Sequence, residues 1–549
     1  MVIYFMVEEK LFHKFWPSNV PKEINIPEIR LDEYLRRTAE RFPDAPANTY
    51  YGAMISYKTL DQLVDIVATK LIELGLKKGE TVALYFTNVP PCVVSYYATL
   101  RAGGRVTLLS PLFQNLEAKF QLNDSEAKIL IGWEGFEEGI KKVLPETGVQ
   151  TLILSNLGNW FESDPRQGEP ISSDGSQLYL EDILISTKPN VPVIEIHPKS
   201  DIAVLQYTGG TTGLPKGAML THYNLVANLE QCTAVFPNHE EGKEVMLTAL
   251  PLYHIYAQTV AMNFSVKIGA NMVMVSNPRE VEELIEAIET YGVTIFPGVA
   301  ALYNLINNSH GIEEKNLKTI KYCLSGAGPL PREIQEKFEQ LTGAKLREGY
   351  GLTEASPVTH ANPLEGRFKN GTIGLPVPNT DIKIVDPATG KELGINEPGE
   401  LCIKGPQVML GYYKKDEENK RSIVNGWLHT GDIAIIDEEG YTIIKDRLKN
   451  LIKYKGHSVY PAEVEAYMME HPKIFEVAVI GVPDPEVGEQ IKAFVVPKPE
   501  FKDSITKQEL IEWAKGNMAS YKYPREIEFL DEIPKSAVGK ILHRMLRNS

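Results

Sequence analysis

The sequence predicts an α/β fold with three parts. These are a large N-terminal domain of layered, mostly parallel sheets covered by helices, a small β-rich subdomain, and a smaller α+β domain at the C-terminus. Three observations carry that expectation. At 549 residues the chain exceeds what one core accommodates at roughly 100–200 residues per domain. Strand-like and helix-like segments alternate through the N-terminal half, which implies parallel sheets flanked by helices. The pattern then changes twice, near Gly374 and again after Asp446.

The first alternating run holds a buried strand at Thr81–Phe86, a helix from Pro91 to Ala102 closed by Gly103-Gly104, and a strand at Arg105–Leu109. Ile202–Tyr207 reads as a further strand and Gly217–Leu220 as a short one after it. A second run spans Asn271 to Ser325, with strands at Met272–Val275, Thr294–Phe296 and Tyr322–Leu324. Short strands with Gly and Pro turns follow, among them Asp381–Val385, Gly399–Ile403 and Tyr441–Ile444, giving a β-rich subdomain over 374–445. Beyond Asp446 a helix opens at Ser458–Glu465, with Pro461 near its first position and acids in its first turn. Two strands, Glu476–Val482 and Ile491–Val496, and a basic tail complete a domain over 446–549, with the boundary at Asp446–Lys449.

Composition narrows the function classes. Hydrophobic residues make up 43% and charged residues 23%, the balance of a globular protein. With 57 basic and 72 acidic residues the net charge is −15, which argues against non-specific nucleic-acid binding. The four cysteines (Cys92, Cys232, Cys323 and Cys402) lie far apart without a C-x-x-C pair, so they read as reduced core residues and not as a disulfide frame or zinc site. The start, MVIYFMVEEKLFHKFW, lacks the basic region of a signal peptide. The most apolar window, Leu247 to Val266, is broken by Pro251, His254, Gln258 and Asn263 and reads as core, not as a membrane span. A cytoplasmic enzyme is expected.

Chemistry concentrates in Tyr207–Leu220, YTGGTTGLPKGAML. Four glycines let main-chain N–H groups approach an anion, three threonines offer hydroxyls, and Lys216 adds a point charge. That combination suits phosphate. The common nucleoside-triphosphate loop, G-x-x-x-x-G-K-[ST], fails here because Pro215 precedes Lys216 and Gly217 follows it. The bland alternative is a glycine-rich surface turn. Gly326-Ala327-Gly328 after the strand Tyr322–Leu324 begins a G-x-G-x-x pattern, but Pro331 holds the third glycine position, which disfavours a dinucleotide fold and an NAD-dependent dehydrogenase.

Six further segments fall into line with that loop: Pro251-Leu252-Tyr253-His254, Ser325–Leu330, Tyr350-Gly351-Leu352-Thr353-Glu354, His429-Thr430-Gly431-Asp432, Asp446-Arg447-Leu448-Lys449 and Pro534–Lys540. In this order and spacing the chain resembles the adenylate-forming superfamily of acyl-CoA synthetases, peptide-synthetase adenylation domains and firefly luciferases. Within it the chain is most similar to medium- or long-chain fatty acyl-CoA synthetases, and the resemblance covers nearly the whole length. It implies that a fatty acid carboxylate attacks the α-phosphate of MgATP, giving acyl-AMP and pyrophosphate, and that the thiol of coenzyme A then displaces AMP. It also implies a C-terminal domain that rotates between the two steps. A homodimer and, for an enzyme with lipid substrates, peripheral membrane contact are further expectations.

The resemblance assigns roles residue by residue. Thr208, Gly209, Gly210, Thr211, Thr212, Gly213 and Lys216 would hold the β- and γ-phosphates. Glu354 matches the magnesium ligand, with Thr208 as a second contact; alone it would read as a solvated acid. Tyr350 would stack on adenine, Gly326 and Ala327 would line the other face, and Glu348, Gly349, Gly351 and Thr353 belong to the same ATP-binding segment. Asp432 would accept both ribose hydroxyls, assisted by Arg447; on residue type alone it is a turn residue after Gly431. Lys540 would be the adenylation lysine, although Ala537 and Val538 stand where relatives often carry hydroxyl residues. His254 matches a gate between the ATP and acyl pockets, while an isolated histidine on an apolar segment is more often core. Lys449 would be the hinge, with Gly456 and His457 beside the pantetheine arm of CoA. Tyr256, Gly298, Pro357 and Val358 fall in small-residue, apolar segments that would leave volume for an alkyl chain. A coumarate-type aryl acid is the nearest rival substrate, and a non-catalytic nucleotide-binding regulator is the alternative of another class.

Overall fold

The computed structural model of the chain describes residues 10–171, 177–208, 214–236, 238–455, 457–535 and 541–547. Gly209, Gly210, Thr211, Thr212, Gly213, Gly456 and Lys540 lie outside the described residues.

Among the described residues the strands form four sheets. The first has seven strands in the order Leu178–Tyr179, Thr151–Ser155, Ala127–Trp133, Thr81–Tyr85, Arg105–Leu108, β1 (Ile202–Thr208) and β2 (Lys216–Thr221). All its neighbours are parallel except β1 and β2, which form an antiparallel pair ending at Thr208↔Lys216. The second sheet, of nine strands, contains Pro46–Tyr50, Val245–Thr248, Asn271–Met274, Ile295–Gly298, β3 (Tyr322–Ser325) and β4 (Lys345–Gly351) as parallel neighbours, with antiparallel strands at both edges. The expected strands thus form within a few residues of their expected ends. Uninterrupted apolar runs such as Ile129–Ile131 and Met272–Met274 are buried because helices cover both sheet faces.

The two sheets share one core. Every residue of the helix Pro90–Arg101 is buried, so it lies between layers instead of on the surface. Asn88, just before it, donates from Nδ2 to the carbonyls of Thr248 and Leu250 at 3.0 and 2.9 Å and ties one sheet to the other. The window 247–266 is core as expected: after a strand, π-helical turns at Ala257–Asn263 are buried throughout. No helix of the described residues is long and apolar enough to cross a membrane. All four cysteines are free and buried.

The third sheet is built from Asp381–Val385, β5 (Gly399–Lys404), the short Ile423–Val424, β6 (Trp427–Ile436) and β7 (Thr442–Arg447), antiparallel throughout. It reaches Arg447, and Leu375–Pro376 joins the nine-stranded sheet instead. The fourth sheet holds His457–Val459, Ile452–Tyr454, Gly488–Pro497, Ile474–Asp484 and Glu526–Phe529 over a separate core of Val464, Val479, Ile491 and Leu510. Its helix Pro461–Met469 is anchored backwards, with Asp446 Oδ2 accepting from the Ala462 N–H at 2.8 Å in the first turn.

Candidate active site

Three parallel strands end side by side in register, Gly298 beside Ser325 and Ser325 beside Glu348. Ligands in open α/β sheets sit beyond such carboxyl ends. Here the chain turns through Gly326 and then Ala327, whose φ of +66° is left-handed although the residue is not glycine. Strain of that kind persists where surrounding structure imposes it and gathers at functional sites. Gly351 is required by a close backbone approach, since a Cβ there would lie 2.2 Å from the Pro357 carbonyl oxygen.

One set of polar groups gathers where β1 and β2 part. Thr208 and Lys216 face each other across the mouth of the glycine-rich loop. Lys216 Nζ pairs with Glu418 and lies 5.2 Å from the ring centre of Tyr412. The Tyr412 hydroxyl donates to Glu354 Oε1 at 2.6 Å. The Glu354 carbonyl accepts from the Met409 N–H at 2.8 Å, which fixes the turn Thr353–Ala355 against the segment before Tyr412.

A second set lies on β4, β6 and β7. Asp432 and Arg447 are register partners, and Arg447 Nε meets Asp432 Oδ1 at 2.5 Å. The Tyr350 hydroxyl donates to Asp432 Oδ2. The Thr430 hydroxyl accepts from the Asp432 N–H at 3.1 Å. Burial opposes the charge on Arg447, but Asp432, Tyr350, Glu354 and Tyr412 together raise its pKa. These contacts bring Tyr350, Glu354, Asp432 and Arg447 into one constellation and add Tyr412 to it.

Comparison with known proteins follows the same outline. The AMP-binding enzyme family matches residues 35–413, and the AMP-binding enzyme C-terminal domain matches 463–540. The chain belongs to the AMP-binding enzyme family. A long-chain-fatty-acid–CoA ligase of Escherichia coli is 39% identical over 98% of both chains, and that of Bacillus subtilis is likewise 39% identical over 98% of both. A 4-coumarate–CoA ligase of Humulus lupulus is 34% identical over 99% of this chain and 96% of its own. Among solved structures, ATP-bound MatB from Rhodopseudomonas palustris superposes with a TM-score of 0.82 at 29% identity, covering 95% of this chain and 99% of that one. Its apo form gives 0.73 at 28% identity, over 95% and 99%.

Other residues of this AMP-binding enzyme stand apart from the constellation or modify its expected shape. His254 is half-buried and its Nδ1 accepts from the Tyr256 N–H at 3.2 Å, a local turn contact. Tyr256 is buried, with its hydroxyl 2.6 Å from the Leu324 carbonyl and 3.3 Å from that of Gly298. A Cβ on Gly326 would meet the Tyr256 ring at 3.0 Å, and one on Gly298 the Tyr303 ring at 2.9 Å. The Cβ side of each of these two glycines is thus packed against a tyrosine ring. Pro357 and Val358 are buried, and Asn228 brackets Val358 with hydrogen bonds of 3.0 and 2.7 Å. Exposed Lys449 sits in the turn Leu448–Asn450, and exposed His457 stacks on Tyr521 with ring centres 4.6 Å apart.

Glu348 lies on β4 two residues before Tyr350, accepting from the Leu330 N–H at 3.0 Å. Burial pushes its carboxyl up from 4.5 to about 7, against a weaker downward pull from that N–H. The folded chain then holds a proton that the unfolded chain has released. This contribution to stability is complete below pH 4.5 and is lost as the pH rises through about 7. At about 1.36 kcal/mol per pH unit it amounts to about 3 kcal/mol. Glu348→Gln keeps an acceptor for Leu330 and is expected to exceed the parent in stability at pH 8, with the gap closing towards pH 5, as read from urea midpoints at each pH.

Proposed function

We infer that this enzyme activates a fatty acid carboxylate with ATP, releasing pyrophosphate and forming acyl-AMP, and then transfers the acyl group to coenzyme A with release of AMP. The observation that carries this reading is the 39% identity to long-chain-fatty-acid–CoA ligases over 98% of both chains. In the first step a carboxylate oxygen bonds to the α-phosphorus while the bond from that phosphorus to the pyrophosphate oxygen breaks. In the second the CoA sulfur bonds to the acyl carbon, AMP leaves with the bond electrons, and the thiol proton passes to solvent.

The residues suit those demands. Asp432, aligned by Arg447 and Tyr350, offers carboxylate oxygens to the ribose hydroxyls, and charge-assisted hydrogen bonds of this kind are the strong ones. Thr208 and Lys216, with the loop between them, receive the leaving pyrophosphate. Glu354, together with Thr208, forms an all-oxygen donor set that fits Mg2+, which would neutralise phosphate charge there. Lys540 bridges the substrate carboxylate and the α-phosphate. The chain divides at 445/446, with Lys449 as the pivot and Gly456 and His457 lining the path of the thiol arm. Four free, buried thiols suit the reducing cytoplasm.

Acid-dependent pyrophosphate release with an acid panel from acetate to stearate plus coumarate tests the reading. Each buried methylene contributes about 0.8 kcal/mol, so two more are expected to raise kcat/KM roughly tenfold until the pocket is full. A profile peaking at acetate, or led by coumarate, would overturn the fatty acid assignment.

Lys216 must exchange Glu418 for a phosphate when ATP binds. Both side chains are partly exposed, and such pairs contribute about 0.2–1 kcal/mol. Glu418→Gln is therefore expected to lower the KM for ATP by about 1.4- to fivefold, measured by pyrophosphate release at saturating acid.

A further inference from the structure

Spacing along the chain kept Cys402 out of metal chemistry; the pairing of two strands brings it back. In the antiparallel pair β5–β6, Cys402 is the register partner of His429, and Glu400 shares its face two residues earlier. His429 Nδ1 lies 2.8 Å from Glu400 Oε2 and 3.5 Å from Cys402 Sγ. All three ligand atoms fall within 4.8 Å of one another. Glu400 Oε1 accepts from the Gly431 N–H at 3.0 Å, so the backbone holds this carboxylate in place, as outer partners hold metal ligands.

Without a cation the His429 ring nitrogen pairs with Glu400 Oε2, and the Cys402 thiol makes a long contact, 4.0 Å, with the Glu400 carbonyl. A cation at the centre satisfies sulfur, nitrogen and oxygen together. We propose that Glu400, Cys402 and His429 form a site for one thiophilic divalent cation of the Zn2+ class, distinct from the all-oxygen position at Glu354. A thiolate, imidazole and carboxylate set is a zinc-type donor set, whereas Mg2+ takes oxygen ligands. The 3.5 Å sulfur–nitrogen separation suits two ligands on one tetrahedral ion at about 2.3 and 2.0 Å, and the 2.8 Å nitrogen–oxygen pair has to open by about half an ångström to admit it. His429 is 24% exposed, which opens the site to solvent and to a water as fourth ligand.

Co2+ is the probe, titrated into the chelator-treated full-length enzyme in excess Mg2+. One equivalent should bring a thiolate-to-cobalt charge-transfer band and the intense visible bands of tetrahedral cobalt, and Zn2+ should displace both. Cys402→Ser should abolish the charge-transfer band while the circular dichroism spectrum stays that of the parent. His429→Gln should weaken Co2+ binding by at least about tenfold, since loss even of an outer partner costs 10–100-fold. Absence of a thiolate band in the parent, or an undiminished band in Cys402→Ser, overturns the site. The readout needs neither ATP nor acid, so it stands or falls independently of the proposed activity.

Discussion

Replacing Lys540 with alanine is expected to cut acyl-adenylate formation by about 10²–10³, the loss typical of removing one preorganised charge at a centre where charge develops. Conversion of synthetic acyl-AMP and CoA to acyl-CoA should change far less, because no phosphoryl transfer remains to be assisted. Lys540 closes the stretch 463–540 that matches the AMP-binding C-terminal domain. Near its end, Lys535 and Ile541 form a bridge and the Leu542 N–H donates to the Pro534 carbonyl at 2.8 Å. Lys535 supplies the control. It pairs with Glu476 at 2.6 Å, an ordinary partly exposed ion pair, and Lys535→Ala should leave adenylation within about twofold. The assay is acid-dependent ATP–pyrophosphate exchange set beside thioester formation from acyl-AMP. Equal loss in both half-reactions would make Lys540 structural.

Much of this site is legible in sequence because its chemistry is local. Glycines and hydroxyls crowd between two strands at Thr208 and Lys216, and the apolar runs that feed them are long enough to set strand positions. What escapes is chemistry assembled across the fold. Tyr412 reaches Glu354 across 58 positions and Glu418 reaches Lys216 across 202, and neither has a local mark. Glu418 reads only as an acid in the first turn of the short helix Asp416–Ser422. The raised carboxyl of Glu348 depends on burial that no pattern around it announces. Gly298 and Gly326 are legible as small, but the rings packed against them arrive from Tyr303 and Tyr256 on neighbouring elements. Cys402 and His429 become neighbours only through strand register.

Lys449→Pro is expected to separate the two half-reactions. One active site can serve both only if the C-terminal domain presents Lys540 and later withdraws it, and such rotations turn on a few residues at element ends. Lys449 occupies that position, exposed in the turn Leu448–Asn450 between β7 and the strand Ile452–Tyr454. Flanking it, Asp446 Oδ2 accepts from the Ala462 N–H at 2.8 Å, and Arg547 Nη2 donates to the Lys449 carbonyl at 3.4 Å. The chain superposes on ATP-bound MatB with a TM-score of 0.82 and on its apo form with 0.73, and the orientation expected to be held is the adenylating one. Proline fixes φ near −65°, which a turn of 3₁₀ type accommodates, and should therefore hold that orientation while resisting the change of torsion that rotation demands. Carboxylate-dependent pyrophosphate exchange should survive. Acyl-CoA production should fall by about 10²-fold, the cost of misplacing reacting groups by even about 1 Å. Survival of both activities would move the pivot elsewhere; loss of both in a folded protein would mean that proline has disturbed the ribose end of the site through Arg447, two residues away.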